Sequence, residues 1–343
     1  MRSAVRHRSV ALSRLGRRRC STLATLYYQD VGVPCSLTST GLVGTDRDAA
    51  GSDGEFFGVS PAPTEVTISD GRARRFSLDE NGFCRVDHAW RHVDYYDNHA
   101  ILREYYPECE RLVRQDTGAS RVLAFDHNLR SRRHKAASDM LKGGNAVQEP
   151  LTTYGIHNDY TLTSSARRVE QLARPPSTND TLRGVFGASA PLDPAELDRL
   201  LRGRWQFINV WRNVSTAPVE SVPLALCDAA SVGVDELIVF EIRYVDRTGE
   251  NYFVSARNRR AHAWYYFPKL TRDEAVLIKC WDSRGRDFVG MAEAARGLPP
   301  PPPSAPTVPA TFSLHSGFDD PQTPPGAPER ESIEVRLVAF FDE

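Results

Sequence analysis

A mainly β architecture with flanking helices, built as a sandwich or barrel of short strands, is what the sequence predicts. Two observations carry it. After Gly203 the chain becomes a succession of β-type runs: Trp205 to Val214, Glu236 to Val245, Tyr252 to Ala256, Ala263 to Phe267, Ala275 to Trp281 and Ile333 to Phe341. Most are separated by turn chemistry such as Asp246-Arg247-Thr248-Gly249 or Asp282-Ser283-Arg284-Gly285, and strands at this spacing suit an all-β unit. Before Gly203 the signals are mostly helical. From Asp97 to Arg114 the apolar positions Ile101, Leu102, Tyr105, Tyr106 and Leu112 follow a helical period, and Arg121 to Phe125 reads as a short buried strand. The segment Asp193 to Leu201 is a second helix, with Asp193 as N-cap, Pro194 at the first helical position and Leu197, Leu200 and Leu201 on one side.

The 343 residues are 41% hydrophobic and 25% charged, enough for one enzyme-sized core. Lys plus Arg total 43 against 44 acids, so the net charge of -1 gives no electrostatic case for nucleic acid or an anionic membrane. No run approaches the roughly 20 apolar residues of a membrane-spanning helix. The six cysteines at 20, 35, 84, 109, 227 and 280 form no C-x-x-C pair, which fits a reducing compartment.

Residues 1 to 60 read as a basic leader without periodicity, and 61 to 343 as a single catalytic domain interrupted by a Pro-rich insertion at 298 to 310. The first 29 residues carry seven arginines and no acid, as a mitochondrial transit peptide or a plain basic tail would. The expected location is therefore cytoplasmic, or mitochondrial if the leader is a targeting signal. Pro299 to Pro303 must be extended, since each proline fixes its own φ and lacks an N–H.

The most informative local motif is His157-Asn158-Asp159. On a strand or its exit, His-x-Asp puts an imidazole and a carboxylate on one face. His315, in an alternating segment followed by Ser316-Gly317, offers a third ligand. Two histidines and one carboxylate form a facial set that suits Fe(II) and leaves positions for a bidentate keto acid and oxygen. Taken alone, His-x-Asp is weak, since a histidine is more often structural or exposed than metal-bound. Downstream, Arg330 and Ser332 stand two residues apart on a strand, where guanidinium and hydroxyl point the same way and can grip the distal carboxylate of 2-oxoglutarate. Arg336 falls on the same face and is the second choice for that anchor.

The chain resembles the fungal hydroxylase/desaturase family of the aspergillic acid pathway type, related to cephalosporin methoxylation and gibberellin desaturase-like proteins. The matching blocks include Phe76-Ser77-Leu78-Asp79-Glu80-Asn81-Gly82-Phe83, Phe125-Asp126-His127-Asn128-Leu129-Arg130, Asn209-Val210-Trp211-Arg212 and Trp264-Tyr265-Tyr266-Phe267-Pro268. His315-Ser316-Gly317-Phe318-Asp319-Asp320-Pro321 and Arg330-Glu331-Ser332-Ile333-Glu334-Val335-Arg336 complete the series.

The resemblance spans roughly residues 60 to 343. It implies a double-stranded β-helix (jelly-roll, cupin-like) 2-oxoglutarate oxygenase fold, and Fe(II)/2-oxoglutarate-dependent hydroxylation or desaturation of a small-molecule secondary metabolite. It leaves open a metal-independent hetero-Diels–Alder pericyclase or an accessory role on the same scaffold. Substrate contacts are expected from His127, Arg130, Tyr160, Trp211, Trp264 and Tyr266, with core packing or a salt bridge as the alternative for several of them. The partner expected is a small molecule, with no nucleic acid and no membrane; a homo-oligomer is compatible with the composition.

Overall fold

The computed structural model describes residues 21–47, 53–137, 147–177, 180–245, 247–295, 297 and 306–342. Fifteen strands are formed among them: β1 Ser21–Gln29, β2 Gly44–Arg47, β3 Asp53–Phe57, β4 Pro61–Asp70, β5 Phe83–Asp87, β6 Arg121–Ser131, β7 His157–Asn158, β8 Trp205–Asn213, β9 Leu224–Cys227, β10 Leu237–Arg243, β11 Thr248–Val254, β12 Trp264–Tyr266, β13 Glu274–Asp282, β14 His315–Gly317 and β15 Glu331–Phe340. They make two sheets, one of ten strands ordered β1-β4-β12-β9-β14-β7-β11-β10-β2-β3 and one of five ordered β5-β13-β8-β15-β6. The sheets face each other as a jelly-roll.

The five-stranded sheet is the structural spine. Every residue of β8 and β13 is buried, as expected of strands covered on both faces. Alternate residues of β8 serve different layers. Arg212 donates through Nε to the Tyr105 hydroxyl (3.0 Å), beside the helix Tyr106–Thr117, whereas Asn209 faces the ten-stranded sheet and reaches Asp159. Lys279 of β13 is completely buried and held by Asp282 (2.7 Å) and Asp79 (2.8 Å), the pairing that a charge withdrawn from water requires.

The helix expected from Asp97 forms in three pieces: Asn98–Ala100, a π-helical stretch Ile101–Tyr105, and Tyr106–Thr117. Tyr106 N–H bonds to Ile101 O across the widened turn. Pro107 follows at once and has no N–H to continue the ordinary ladder, which accounts for the bulge there. Asp193 caps its helix as expected, accepting from Ala195 N at 2.9 Å.

The leader is where expectation fails. From Ser21 onward the chain belongs to the fold: β1 pairs along its whole length with β4, and Ala24, Leu26 and Tyr28 are buried. Tyr28 lies between His262 Nδ1 and Trp264 Nε1, both 2.9 Å from its hydroxyl. The boundary at residue 60 therefore moves to about Ser21. Residues 1–20 lie outside the described residues, as does the Pro299 to Pro303 run.

Candidate metal centre

Strand β7 is two residues long, yet it sits inside the ten-stranded sheet between β14 and β11. Its register places His157 directly opposite His315. Two imidazoles thus leave neighbouring strands at one level, with ring centroids 4.5 Å apart. The chain then exits β7 and delivers Asp159. One ligating atom from each of the three residues lies within 4.8 Å of the others.

Both rings are oriented by backbone. His157 Nδ1 meets the Gly155 carbonyl at 3.0 Å, and His315 Nδ1 meets the Ser313 carbonyl at 3.4 Å. Holding Nδ1 as the donor leaves Nε2 as the free lone pair, the tautomer a metal needs. Gly155 has φ of 105°, a conformation that would strain a side chain. Tyr154 packs edge-on against the His157 ring, with centroids 5.0 Å apart.

Burial, with His315 adjacent, lowers the His157 pKa to about 3, so the ring is neutral at physiological pH. For Asp159 burial alone would raise the pKa, but Arg336 and the two histidines overcome it and hold the carboxyl well below the usual range. A neutral imidazole at His157 and an ionised carboxylate at Asp159 suit the donor chemistry of Fe(II), and the cluster has no fourth member among the described residues.

The arginines divide. Arg336 is already engaged, with Nη1 on Asp126 at 2.8 Å and Nε on Asp159 at 3.4 Å. Arg330 is not. Its Nη1 donates to the Val222 carbonyl at 2.6 Å, its guanidinium carbon lies 5.8 Å from the Trp211 ring centroid, and its buried Nε has no partner among the described residues. Burial, reinforced by Arg130, lowers its pKa to about 9, and it remains a cation at neutral pH. A buried cation with an orphaned donor fits a ligand carboxylate. Ser332, buried beside it in sequence, is paired in register with Arg130.

The remaining expected contacts separate by strand face. Arg130 keeps Nη1 on the Glu149 carbonyl (2.8 Å), and its charge is felt at His157. Tyr160, next in sequence to Asp159, stacks on Phe207 at 4.1 Å. Trp211 lies under Arg330. His127 is turned away: it bonds through Nδ1 to the Tyr106 hydroxyl (2.8 Å) on the helical side, where burial lowers its pKa to about 4. Trp264 and Tyr266 also leave the site. Tyr265 shares the row of Leu226 and His315, so its two neighbours alternate to the other face. Trp264 bonds Tyr28 there and Tyr266 meets Phe318. Sequence reading missed Asn209 and Tyr154. Asn209 stood within a quoted block, but its placement required the register of β8.

A protein-family model described as an oxidoreductase/YMDC permease-like domain matches residues 44–340. The hydroxylase/desaturase CTB9 of Cercospora beticola is 30% identical over 287 residues, covering 80% of this chain and 74% of that protein. The alpha-ketoglutarate-dependent dioxygenase phiK of a fungal species is 28% identical over 286 residues, covering 80% and 83%. Among solved structures, the iron and alpha-ketoglutarate-dependent endoperoxidase NvfI superposes with a TM-score of 0.67 at 22% identity, covering 95% of this chain and 100% of that one. That likeness establishes the jelly-roll fold. No helix among the described residues is long and apolar enough to cross a membrane.

Proposed function

The chain belongs to the oxidoreductase/YMDC permease-like family and is a homologue of the fungal hydroxylase/desaturase proteins, and from that premise we propose that it is an Fe(II)- and 2-oxoglutarate-dependent oxidoreductase. Its reaction is hydroxylation or desaturation of a small-molecule secondary metabolite. The finer placement, beside the aspergillic acid pathway type, rests on the blocks around His157, His315 and Arg330. The observation that carries the proposal is the joint one: a three-ligand cluster at His157, Asp159 and His315, and in the same molecule a buried, incompletely bonded Arg330.

In this reading His157, Asp159 and His315 would hold the iron. Bound iron with 2-oxoglutarate and oxygen supplies the oxidising power to remove hydrogen from an unactivated carbon. Everything else falls to the chain. Arg330, with Ser332 beside it, pairs with the distal carboxylate of the co-substrate and fixes its orientation. Trp211 backs the guanidinium and keeps water from it, strengthening the pair. Arg336 and Asn209 keep Asp159 in place. Arg130 and Tyr160, both near the ligands, are the contacts left for the substrate. The enzyme acts in the cytoplasm, or in the mitochondrion if residues 1–20 direct import.

The test is anaerobic addition of Fe(II) and 2-oxoglutarate, watched for the weak visible charge-transfer band of a chelated keto acid. Wild type should show it, His157→Ala should lose it, and Arg330→Ala should need far more co-substrate. Absence of the band in wild type would overturn the proposal in favour of a metal-independent reaction on this scaffold.

A further inference from the structure

The two oxygens of Asp159 have different surroundings. Oδ1 faces His157 Nε2 at 3.9 Å. Oδ2 accepts from Asn209 Nδ2 at 2.7 Å and from Arg336 Nε at 3.4 Å. These donors come from the opposite sheet. Asn209 on β8 and Arg336 on β15 are register partners, so they approach the carboxylate side by side.

Neither donor is free to do otherwise. Arg336 is fixed from behind by Asp126 at 2.8 Å and Glu334 at 3.5 Å. The Asn209 amide is buried with its own Oδ1 unpartnered among the described residues. Leaving an amide oxygen unpaired is unfavourable, which makes sense where the position is fixed for the sake of its N–H.

We infer that Asn209 and Arg336 are positioning residues that make Asp159 a one-oxygen ligand, with Oδ2 committed to them and Oδ1 left for the metal. This rests on the proposed function and deepens it. The arithmetic of coordination supplies the reason. With two imidazoles and a chelating carboxylate, an octahedral ion keeps two positions, too few for a keto acid bound through two atoms together with oxygen. A carboxylate bound through one oxygen leaves three. Arg336 is thereby assigned to the ligand and Arg330 to the co-substrate.

The test uses Co(II) as probe, titrated into metal-free full-length protein and its variants. Asn209→Ala and Arg336→Met should each weaken Co(II) binding about 10–100-fold, the usual effect of losing a group that orients a ligand. Arg336→Lys should recover part of it. The decisive comparison is in an Asp159→Ala background, where Asn209→Ala should cause no further loss, because a residue that acts through Asp159 has nothing left to act on. Asn209→Ser serves if the alanine variant fails to fold, as judged by near-ultraviolet circular dichroism. Equal losses in both backgrounds, or no loss with Asp159 intact, would overturn the inference while leaving the metal centre standing. If Asp159→Ala itself left Co(II) binding unchanged, the metal-centre reading would fall, and this inference with it.

Discussion

Arg330, just ahead of β15, and Arg336, within it, stand six residues apart, yet their electrostatic circumstances are opposite. Arg336 is surrounded by Asp126, Asp159 and Glu334, whose charges raise its pKa against the opposing effect of burial. Arg330 is buried with another arginine nearby and, among the described residues, one hydrogen-bond acceptor, the Val222 carbonyl. A dianionic co-substrate should be drawn to the second. A charge-assisted hydrogen bond contributes about 1.5–3 kcal/mol, so Arg330→Ala should raise the dissociation constant of 2-oxoglutarate roughly 10- to 100-fold. Co(II) affinity in the absence of co-substrate should stay at the wild-type value. Arg330→Lys should recover only part, because an ammonium lacks the flat fork; anaerobic titration of the charge-transfer band measures all three. At this scale the sequence was legible where spacing and the family-like blocks coincide: His157, Asp159 and His315 do come together. It was illegible wherever the question was which face. Trp264 and Tyr266 were expected at the site, but the residue between them has the parity of His315. His127 was expected there too, while Asp126 and Asn128 face Arg336 and Glu334 across β15. Alternation is visible in a sequence; its phase is set by partners far along the chain.

At the scale of the element, β1 shows how a strand conceals itself. Its inward positions include Thr22 and Ala24, while Leu23 is 52% exposed, so the apolar residues do not mark the buried face. An Arg-rich segment just before it completes the disguise. From Ser21 to Gln29 every residue of β1 is paired with β4. Removing residues 1–30 takes away the strand and strips β4, His262 and Trp264 of partners; the product should unfold or precipitate, as differential scanning calorimetry and solubility would report. Processing that spares the fold must then cut before Ser21. A second element prediction concerns Glu274 at the start of β13. Burial alone would raise its pKa, but Arg72 at 2.7 Å and the Thr271 N–H at 2.9 Å bring it down to about 2. A carboxyl with a folded pKa below its unfolded one stabilises above the unfolded value, and that contribution disappears as pH falls toward 2. Glu274→Gln should therefore cost about 1–3 kcal/mol at pH 7. The gap between variant and wild type should narrow steadily below pH 4.5, as urea unfolding at several pH values would test.

At the scale of the molecule, the site joins the two sheets. The ten-stranded sheet supplies His157 and His315, and the exit of β7 supplies Asp159. The five-stranded sheet supplies Asn209 and Arg336, with Arg330 just ahead of β15. A metal held by the first set and a co-substrate anchored by the second would bind one sheet to the other, and the unfolded chain offers no such arrangement. Ligands that bind only the folded state stabilise it by mass action, about 2.7 kcal/mol at a hundredfold excess over the dissociation constant. For a chain of this length that corresponds to a rise of roughly 5 °C in melting temperature. Co(II) should therefore raise the melting temperature of wild type, and 2-oxoglutarate should raise it further only when the metal is present. His157→Ala should show neither step, and Arg330→Ala only the first. A rise with 2-oxoglutarate in metal-free protein would mean that the acid binds without chelation, and the coupling between the sheets would have to be sought elsewhere. The order of the two steps is the informative part: a keto acid anchored at one end by an arginine and at the other by the metal gains its second contact only after the metal has supplied it.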